Sequence, residues 1–380
     1  MEDIKICKIC IQPSTRPGIF FSDEGICGAC IWEKEEKRKV DWEQRFNELL
    51  KIAEWAKKSS NSNYDCVIGI SGGKDSTFQA ITARDRLGLH PLLVNGEPEG
   101  ITDIGRHNIE NLKQLGFDVI SIRPNPKIAK ILTKRDFYMH LNPVKIGEHA
   151  LWASTYIIAE KFDIPLIIQG ENAGLTLGTS LTGLGKNSNA LNANELLTLK
   201  AGTEEYLEEN GVEEKDLFFY KYNKKKLEEK NIRGVWLQYF LKEWSLQNNA
   251  NFAKEYGLIW RPKDFDPESI GTYIPYSQLD SDLIQVNQML KYIKFGFGQC
   301  MDHVCYQIRD GTLNRKKALE LVKKYDGKCS KQYIQKFCNY IEIDLEEFWK
   351  TTEKFRGNIW KKEETGKWHN MYWDIIEKEV

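Results

Sequence analysis

The sequence has no apolar run of membrane-spanning length. Its longest, Cys66–Ile70 and Ile164–Ile168, are strand-sized, so no membrane insertion is expected. It also lacks an excess of either charge: Lys and Arg number 54, Asp and Glu 55, and the formal net charge is −1. A protein that tracks a nucleic-acid backbone usually carries a basic face, so this balance weighs against a nucleic-acid partner. The N-terminal MEDIKICKIC shows no basic segment followed by a long apolar stretch. No secretory leader is therefore expected, and a cytoplasmic location is the expectation. Internal repeats are missing, and so are the GxxxxGK[ST] and GxGxxG fingerprints of common nucleotide sites. No Ser/His/Asp arrangement is evident. What remains is a chain of 380 residues with 41% hydrophobic content and a mean hydropathy of −0.52. That composition predicts a globular protein of two or three domains, able to bury a core without disulfides.

Four of the nine cysteines fall in the first thirty residues. Cys7 and Cys10 form one CxxC, Cys27 and Cys30 another, with sixteen residues between the pairs. Disulfides do not suit a reducing compartment. Four soft thiolates with no open position describe structural zinc, and the intervening Pro13, Pro17, Gly18 and Gly25 let the chain loop back. A metal also supplies folding energy that a segment this short lacks. Four unliganded thiols and an iron–sulfur cluster are the competing readings. Catalysis is not expected at a site whose positions are all filled.

The second feature is SGGKDS, Ser71–Ser76, directly after the apolar run Cys66–Ile70. A strand, a Gly-rich turn and a helix make an anion site. Gly72 and Gly73 permit a tight turn and close approach to backbone amides. The new helix, expected over 75–87, points free N–H groups at the same place. Lys74 adds positive charge, and Ser71 and Ser76 offer hydroxyls. Further strands are expected at His90–Asn95, Phe117–Ile122 and Ile164–Gln169, alternating with helices over 103–115 and 148–162. This alternation predicts an α/β doubly wound parallel sheet, whose ligands bind beyond the carboxyl ends of the strands. Four loops share that crevice: SGGKDS, NGEPEG (95–100), RPNP (123–126) and QGENAG (169–174). Phosphate chemistry uses Mg²⁺, and Mg²⁺ takes a few carboxylates plus phosphate oxygens. Asp75 and Glu171, beside Gly170, are the expected ligands, while Glu97 and Glu99 read better as solvated acids.

SGGKDS after an apolar strand resembles the PP-loop ATP pyrophosphatases, whose fold is the adenine nucleotide alpha hydrolase-like sheet. The resemblance extends along the chain. CxxC at Cys7–Cys10, PSTRPG at Pro13–Gly18, GICGAC at Gly25–Cys30, SGGKDS, PLIIQGEN at Pro165–Asn172 and the block 295–327 together resemble the N-acetyl sugar amidotransferases of that group. The likeness covers about residues 5–330. It implies ATP, Mg²⁺ and Zn²⁺ as cofactors, and an acetamido sugar of a bacterial surface-polysaccharide or nonulosonic-acid pathway as substrate. It implies conversion of that acetamido group to an acetamidino group, with release of AMP and pyrophosphate. It also implies two partners, a glutaminase subunit and a cyclase-like, ammonia-channelling subunit. One departure is visible: Cys300 and Cys305 flank Asp302 and His303, where the family's DH pair usually lacks flanking cysteines. Packing variation, a second metal and a reactive thiol are the readings left open.

In this scheme Lys74 and Asp75 act at the phosphates. Asp302 and His303, with Arg309 six residues on, are candidates for proton transfer or substrate binding, against helix packing as the alternative. The expected organisation is a four-cysteine zinc module over 1–40 and an ATP-binding α/β domain over 41–175. A mobile loop and surface insertion over 176–230 follows, then a mainly helical region over 231–380. Within that region a helix is expected over 235–244, and an aromatic tail that packs back or meets a partner. Two other functions compete. A tRNA thiolation enzyme would want a basic groove and cysteines able to reach the loop. A non-catalytic scaffold of a glutaminase complex would turn over no ATP.

Overall fold

The computed structural model describes residues 4–179, 188–196, 198–200 and 202–378. At its centre is a five-stranded sheet: β1 (Cys66–Ile70), β2 (Pro91–Gly96), β3 (Asp118–Ile122), β4 (Leu166–Gln169) and β5 (Arg233–Trp236). The strand order is β3-β2-β1-β4-β5, and every neighbouring pair is parallel. Parallel strands need covered crossovers, which explains why β1, β2 and β4 are apolar almost throughout. Alternation decides the face. Cys66, Ile68 and Ile70 pack with Leu49, Phe78, Leu112 and Trp244 on one side. Val67 packs with Leu92, Tyr156 and Ile167 on the other. The expected doubly wound layer is therefore present.

Local chemistry sets the helix starts. Asp41 caps Trp42–Ser59 by accepting from the Gln44 amide at 2.9 Å. Thr102 caps Asp103–Gln114 by accepting from Gly105 at 2.9 Å. Asn125 followed by Pro126 opens Pro126–His140. The helix after the glycine turn is Lys74–Ile81, with one wider turn at Thr82–Arg86.

Two expectations need correction. The segment expected as a helix over 235–244 supplies β5 and then a single 3-10 turn, Leu237–Tyr239. Four residues of β5 pair with four of β4. Completing the sheet edge outweighed the helical spacing of Trp236, Leu237, Phe240 and Leu241. The charged stretch 204–230 is not a mere surface excursion, because Tyr206, Val212, Leu217 and Tyr220 are buried against Ile128, Leu132 and Ile146. The expected mobile loop lies partly outside the described residues, at 180–187. Its flanks are anchored, for Thr179 bridges Ile19 and Asn189 bridges Val235.

The N-terminal module and the C-terminal helices share one core. Cys7, Cys10, Cys27 and Cys30 pack with Phe297, Met301, Val304, Cys305 and Tyr372. Thr15 Oγ1 donates to Phe295 O at 2.6 Å, and the Tyr372 hydroxyl donates to Ile11 O at 3.1 Å. The aromatic tail thus folds back on the body, through the short hairpin Trp360–Lys362/Trp368–Asn370. A second helical core joins Leu283–Phe295, Lys331–Ile341 and Phe348 to Phe137 and Leu141 of the α/β layer. Among the described residues no helix is long and apolar enough to cross a membrane.

Candidate active site

The topology changes direction at β1. From there the chain builds outward to β2 and β3, then returns to add β4 on the other flank. A crevice opens where two adjacent strands send their following segments to opposite sides. SGGKDS leaves the end of β1, and Gly170–Glu171 leaves the end of β4.

Gly72 has φ +78, and a Cβ there would lie 2.6 Å from Gly105 O. Both facts require glycine. The turn is held from behind, where Asn108 Nδ2 donates to Gly72 O at 2.9 Å. Gly73 is the N-cap of Lys74–Ile81, and no side chain caps that end. Its first amides are left for an anion. The Ser76 and Thr77 hydroxyls do not serve that purpose, because both donate back to Gly73 O, at 3.1 and 3.0 Å. Ser71 hydrogen-bonds Asp280. Of the loop's proposed phosphate donors, Lys74 and the amides are thus better placed than the two serine hydroxyls.

Lys74 Nζ donates to Asp75 Oδ2 at 2.6 Å, and Asn249 Nδ2 holds Asp75 Oδ1 at 2.8 Å. Gly170 lies tight against two side chains: a Cβ there would come within 2.9 Å of Trp244 Cη2 and would displace the Gln79 amide. Glu171 opens onto the crevice and lies near Asp75. Desolvation beside the crevice, and then the Asp75 charge, raise its pKa, although the residue itself is exposed. Two like charges left together invite a cation, and a pair of carboxylates facing phosphate space suits Mg²⁺. Glu97 and Glu99 do not join them, for they pair with Arg123 at 3.6 and 3.8 Å.

Asp302 and His303 are placed differently. Asp302 is ion-paired to Arg16 and to Lys291, the latter at 2.6 Å. Burial pushes its pKa up, but the two cations outweigh burial and hold it below the ordinary carboxylate range. His303 is buried, with Nδ1 2.6 Å from Thr272 Oγ1 and Nε2 3.2 Å from Ser277 Oγ. Burial, with Lys74 and Lys291 adding to it and Asp302 opposing, brings its pKa down to about 3. Both ring nitrogens are occupied, so its contacts are those of a neutral ring holding the 272–277 turn. Asp302 and His303 thus sit next to each other in sequence but serve separate networks.

The four N-terminal cysteines converge. Their sulfurs lie within 4.8 Å of one another, and Cys7–Cys30 and Cys10–Cys27 are 3.8 and 3.7 Å apart. Four sulfurs at the usual Zn–S distance around one ion form a tetrahedron with an edge of about 3.8 Å. The cluster is therefore capable of holding a metal, and the donor set suits zinc. Without a cation the thiols compete for protons. Cys7 is pushed up by Cys10 but drawn down, to about 7, by Cys27 and Cys30. Cys27 and Cys30 are pushed up, chiefly by Cys10. The backbone around the cluster is braced by Arg315, which donates to Cys7 O at 2.7 Å and also to Cys10 O. Cys305 hydrogen-bonds Cys10, and burial raises the pKa of both Cys300 and Cys305. Neither has the character of an activated thiol. A second group, Asp136, His140 and Glu205, also lies within ligand distance. It already holds protein cations, with Lys145 and Arg135 paired to Glu205.

Arg309, noted in the sequence beside Asp302 and His303, faces the same space as Lys74, Asp75 and Glu171. Other cleft residues carried no sequence signal: Trp32, Glu33 and Lys37 from the N-terminal module, and Tyr306 from Gln299–Arg309. Asn249 and Asp280 approach the loop from later segments. Only the folded chain brings them there.

A family profile described as the C-terminal domain of LPS biosynthesis protein WbpG-like proteins matches residues 264–377. No curated protein matches. Among solved structures, the chain is similar to an NMN synthetase from Francisella tularensis, at 15% identity, TM-score 0.28, covering 60% of this chain and all of that one. It is also similar to an NH3-dependent NAD synthetase from Campylobacter jejuni in complex with nitrate, at 15% identity, TM-score 0.30 and the same coverage.

Proposed function

We propose that this chain is an ATP-dependent amidotransferase. It adenylates the acetamido oxygen of a bacterial surface-polysaccharide or nonulosonic-acid sugar precursor, and ammonia then forms the acetamidino group. The observation that carries this reading is the convergence of an uncapped, glycine-turned helix start, Lys74, Asp75 and Glu171 at the β1/β4 switch point. The WbpG-like match over the C-terminal helices supports a surface-polysaccharide substrate. The four-cysteine site takes zinc in a structural role.

An amide is a poor electrophile toward ammonia, and adenylation corrects this. The carbonyl oxygen attacks the α-phosphorus of ATP and pyrophosphate leaves. Ammonia adds to the imidate carbon, AMP departs with the former carbonyl oxygen, and a proton is released. Lys74 and the amides of 73–75 neutralise charge on the phosphates. Asp75 and Glu171 would hold Mg²⁺, which would supply further charge neutralisation at the phosphates. Positioning and charge neutralisation supply the catalysis, so no protein nucleophile is needed. Ammonia comes from a partner glutaminase through a cyclase-like subunit.

The test is a mass-spectrometric product assay. The protein receives ATP, Mg²⁺, an ammonium salt and a panel of acetamido sugars. Replacement of O by NH lowers product mass by about 1 Da, with AMP in equal amount. AMP absent with every sugar but formed on addition of unmodified tRNA would move the assignment to tRNA thiolation. No ATP turnover under any condition would favour a scaffold.

A further inference from the structure

The cleft is lined from three parts of the fold. The sheet side carries Lys74, Asp75 and Glu171. Lys37 and Arg309 line the same cleft from the N-terminal module and the Gln299–Arg309 helix. Trp32 opens a five-residue π-helical turn, Trp32–Glu36, a rare geometry that is frequent at functional sites. Lys37 is paired with Glu33 at 2.8 Å, and Lys74 with Asp75. Arg309 differs from both. Among the described residues no carboxylate lies within ion-pair distance of it. Its guanidinium donates from Nη2 to Thr176 O at 3.2 Å and lies 4.7 Å from the centre of the Tyr306 ring. A guanidinium has five donors, and the described contacts use one. Arg309 also borders a second, smaller cavity beside the cysteine cluster, reached past Thr176 and Tyr306. A cation fixed on an aromatic ring, with donors unused and open to a cleft, is arranged to receive an oxyanion.

We propose that Arg309, held on the Tyr306 ring, is the acceptor subsite, and that it takes a sugar bearing an oxyanion. The oxyanion meets the guanidinium. This rests on the sugar reading above. The oxyanion is either a carboxylate on the ring or the diphosphate of a nucleotide-linked sugar, and the probes below separate the two.

The experiment measures dissociation constants by calorimetry for full-length wild type, Arg309→Gln and Arg309→Lys. The probes are N-acetylneuraminic acid (carboxylate), UDP-N-acetylglucosamine (diphosphate), N-acetylglucosamine (neutral) and Mg·ATP. Bound zinc is quantified in each protein to show that the cluster is intact. Wild type is expected to prefer one anionic sugar over the neutral one, and that sugar identifies the oxyanion. Arg309→Gln is expected to lose ~10–100-fold in that affinity, with Mg·ATP binding changed less than about twofold and zinc retained. Arg309→Lys is expected to recover part of the loss. If Arg309→Gln binds the sugar as tightly as wild type, or loses Mg·ATP instead, the assignment is overturned while the sugar reading stands. If wild type binds Mg·ATP but none of the sugars, the sugar reading falls and this subsite with it.

Discussion

The Tyr306 hydroxyl lies 3.4 Å from Glu171 Oε1 and joins the Gln299–Arg309 helix to the segment after β4, across 135 positions of sequence. Through this contact the C-terminal region touches the carboxylate proposed to share Mg²⁺ with Asp75. Tyr306→Phe is expected to lower kcat for AMP formation by roughly 3–10-fold, the scale of one hydrogen bond to a charged group. The thermal midpoint should hold. An unchanged kcat would place Tyr306 outside the working site.

Lys74→Ala removes the cation proposed to face the phosphates. AMP formation is expected to fall ~10²–10³-fold, as when one preorganised donor is lost. Asp75 keeps its bond to Asn249, so circular dichroism should show an intact fold. Activity within a few-fold of wild type would reject the phosphate role of this loop.

Gly72→Ala tests the turn itself. The substitution places a Cβ against Gly105 O and forces φ +78 on an L residue. Denaturant unfolding is expected to show a loss of about 1–3 kcal/mol. Mg·ATP affinity should drop further than stability alone explains, because the amides of the loop move with the turn.

The cysteine cluster is expected to hold one zinc ion per chain by elemental analysis. Cys10→Ser should lose the metal and lower the thermal midpoint by about 10 °C or more. Because the cluster shares its core with Phe297, Met301 and Val304, unfolding should spread into the C-terminal helices. Hydrogen exchange confined to residues 4–40 would contradict a shared core.

His303 sets an acid limit on stability. Its pKa is about 3 in the fold and about 6.5 in an unfolded chain. Between those values the unfolded chain binds a proton that the folded chain does not. Its contribution is therefore full above about pH 6.5 and is lost as pH falls. His303→Gln can still meet Thr272 and Ser277 but cannot titrate. The stability gap between wild type and this variant should narrow from pH 7 to pH 4.5. A gap that widens on acidification would show a protonated, partnered imidazole instead.

Much of the site was legible because its chemistry is local. CxxC spacing dictates which sulfurs share a metal, and Cys66–Ser76 carries its own strand, turn and helix start. The same locality explains the errors. Arg233–Trp236 reads as part of a helix when taken alone and becomes a strand because β4 offers it an open edge. Nor does adjacency join Asp302 and His303, read as candidates for proton transfer or substrate binding against helix packing, in one network. On a helix neighbouring residues point about 100° apart, so one meets Arg16 and Lys291 while the other meets Thr272 and Ser277.

The glycine turn with its flanking strand and helix, and the paired cysteines, each follow from residues close in sequence, and so are written in the amino-acid order; the fifth strand of the layer is not. Which wall faces that loop was settled by packing at long range. Trp32, Asn249, Tyr306 and Arg309 come from distant segments of the chain. They meet because the N-terminal module and the C-terminal helices bury one common core, which no local pattern encodes.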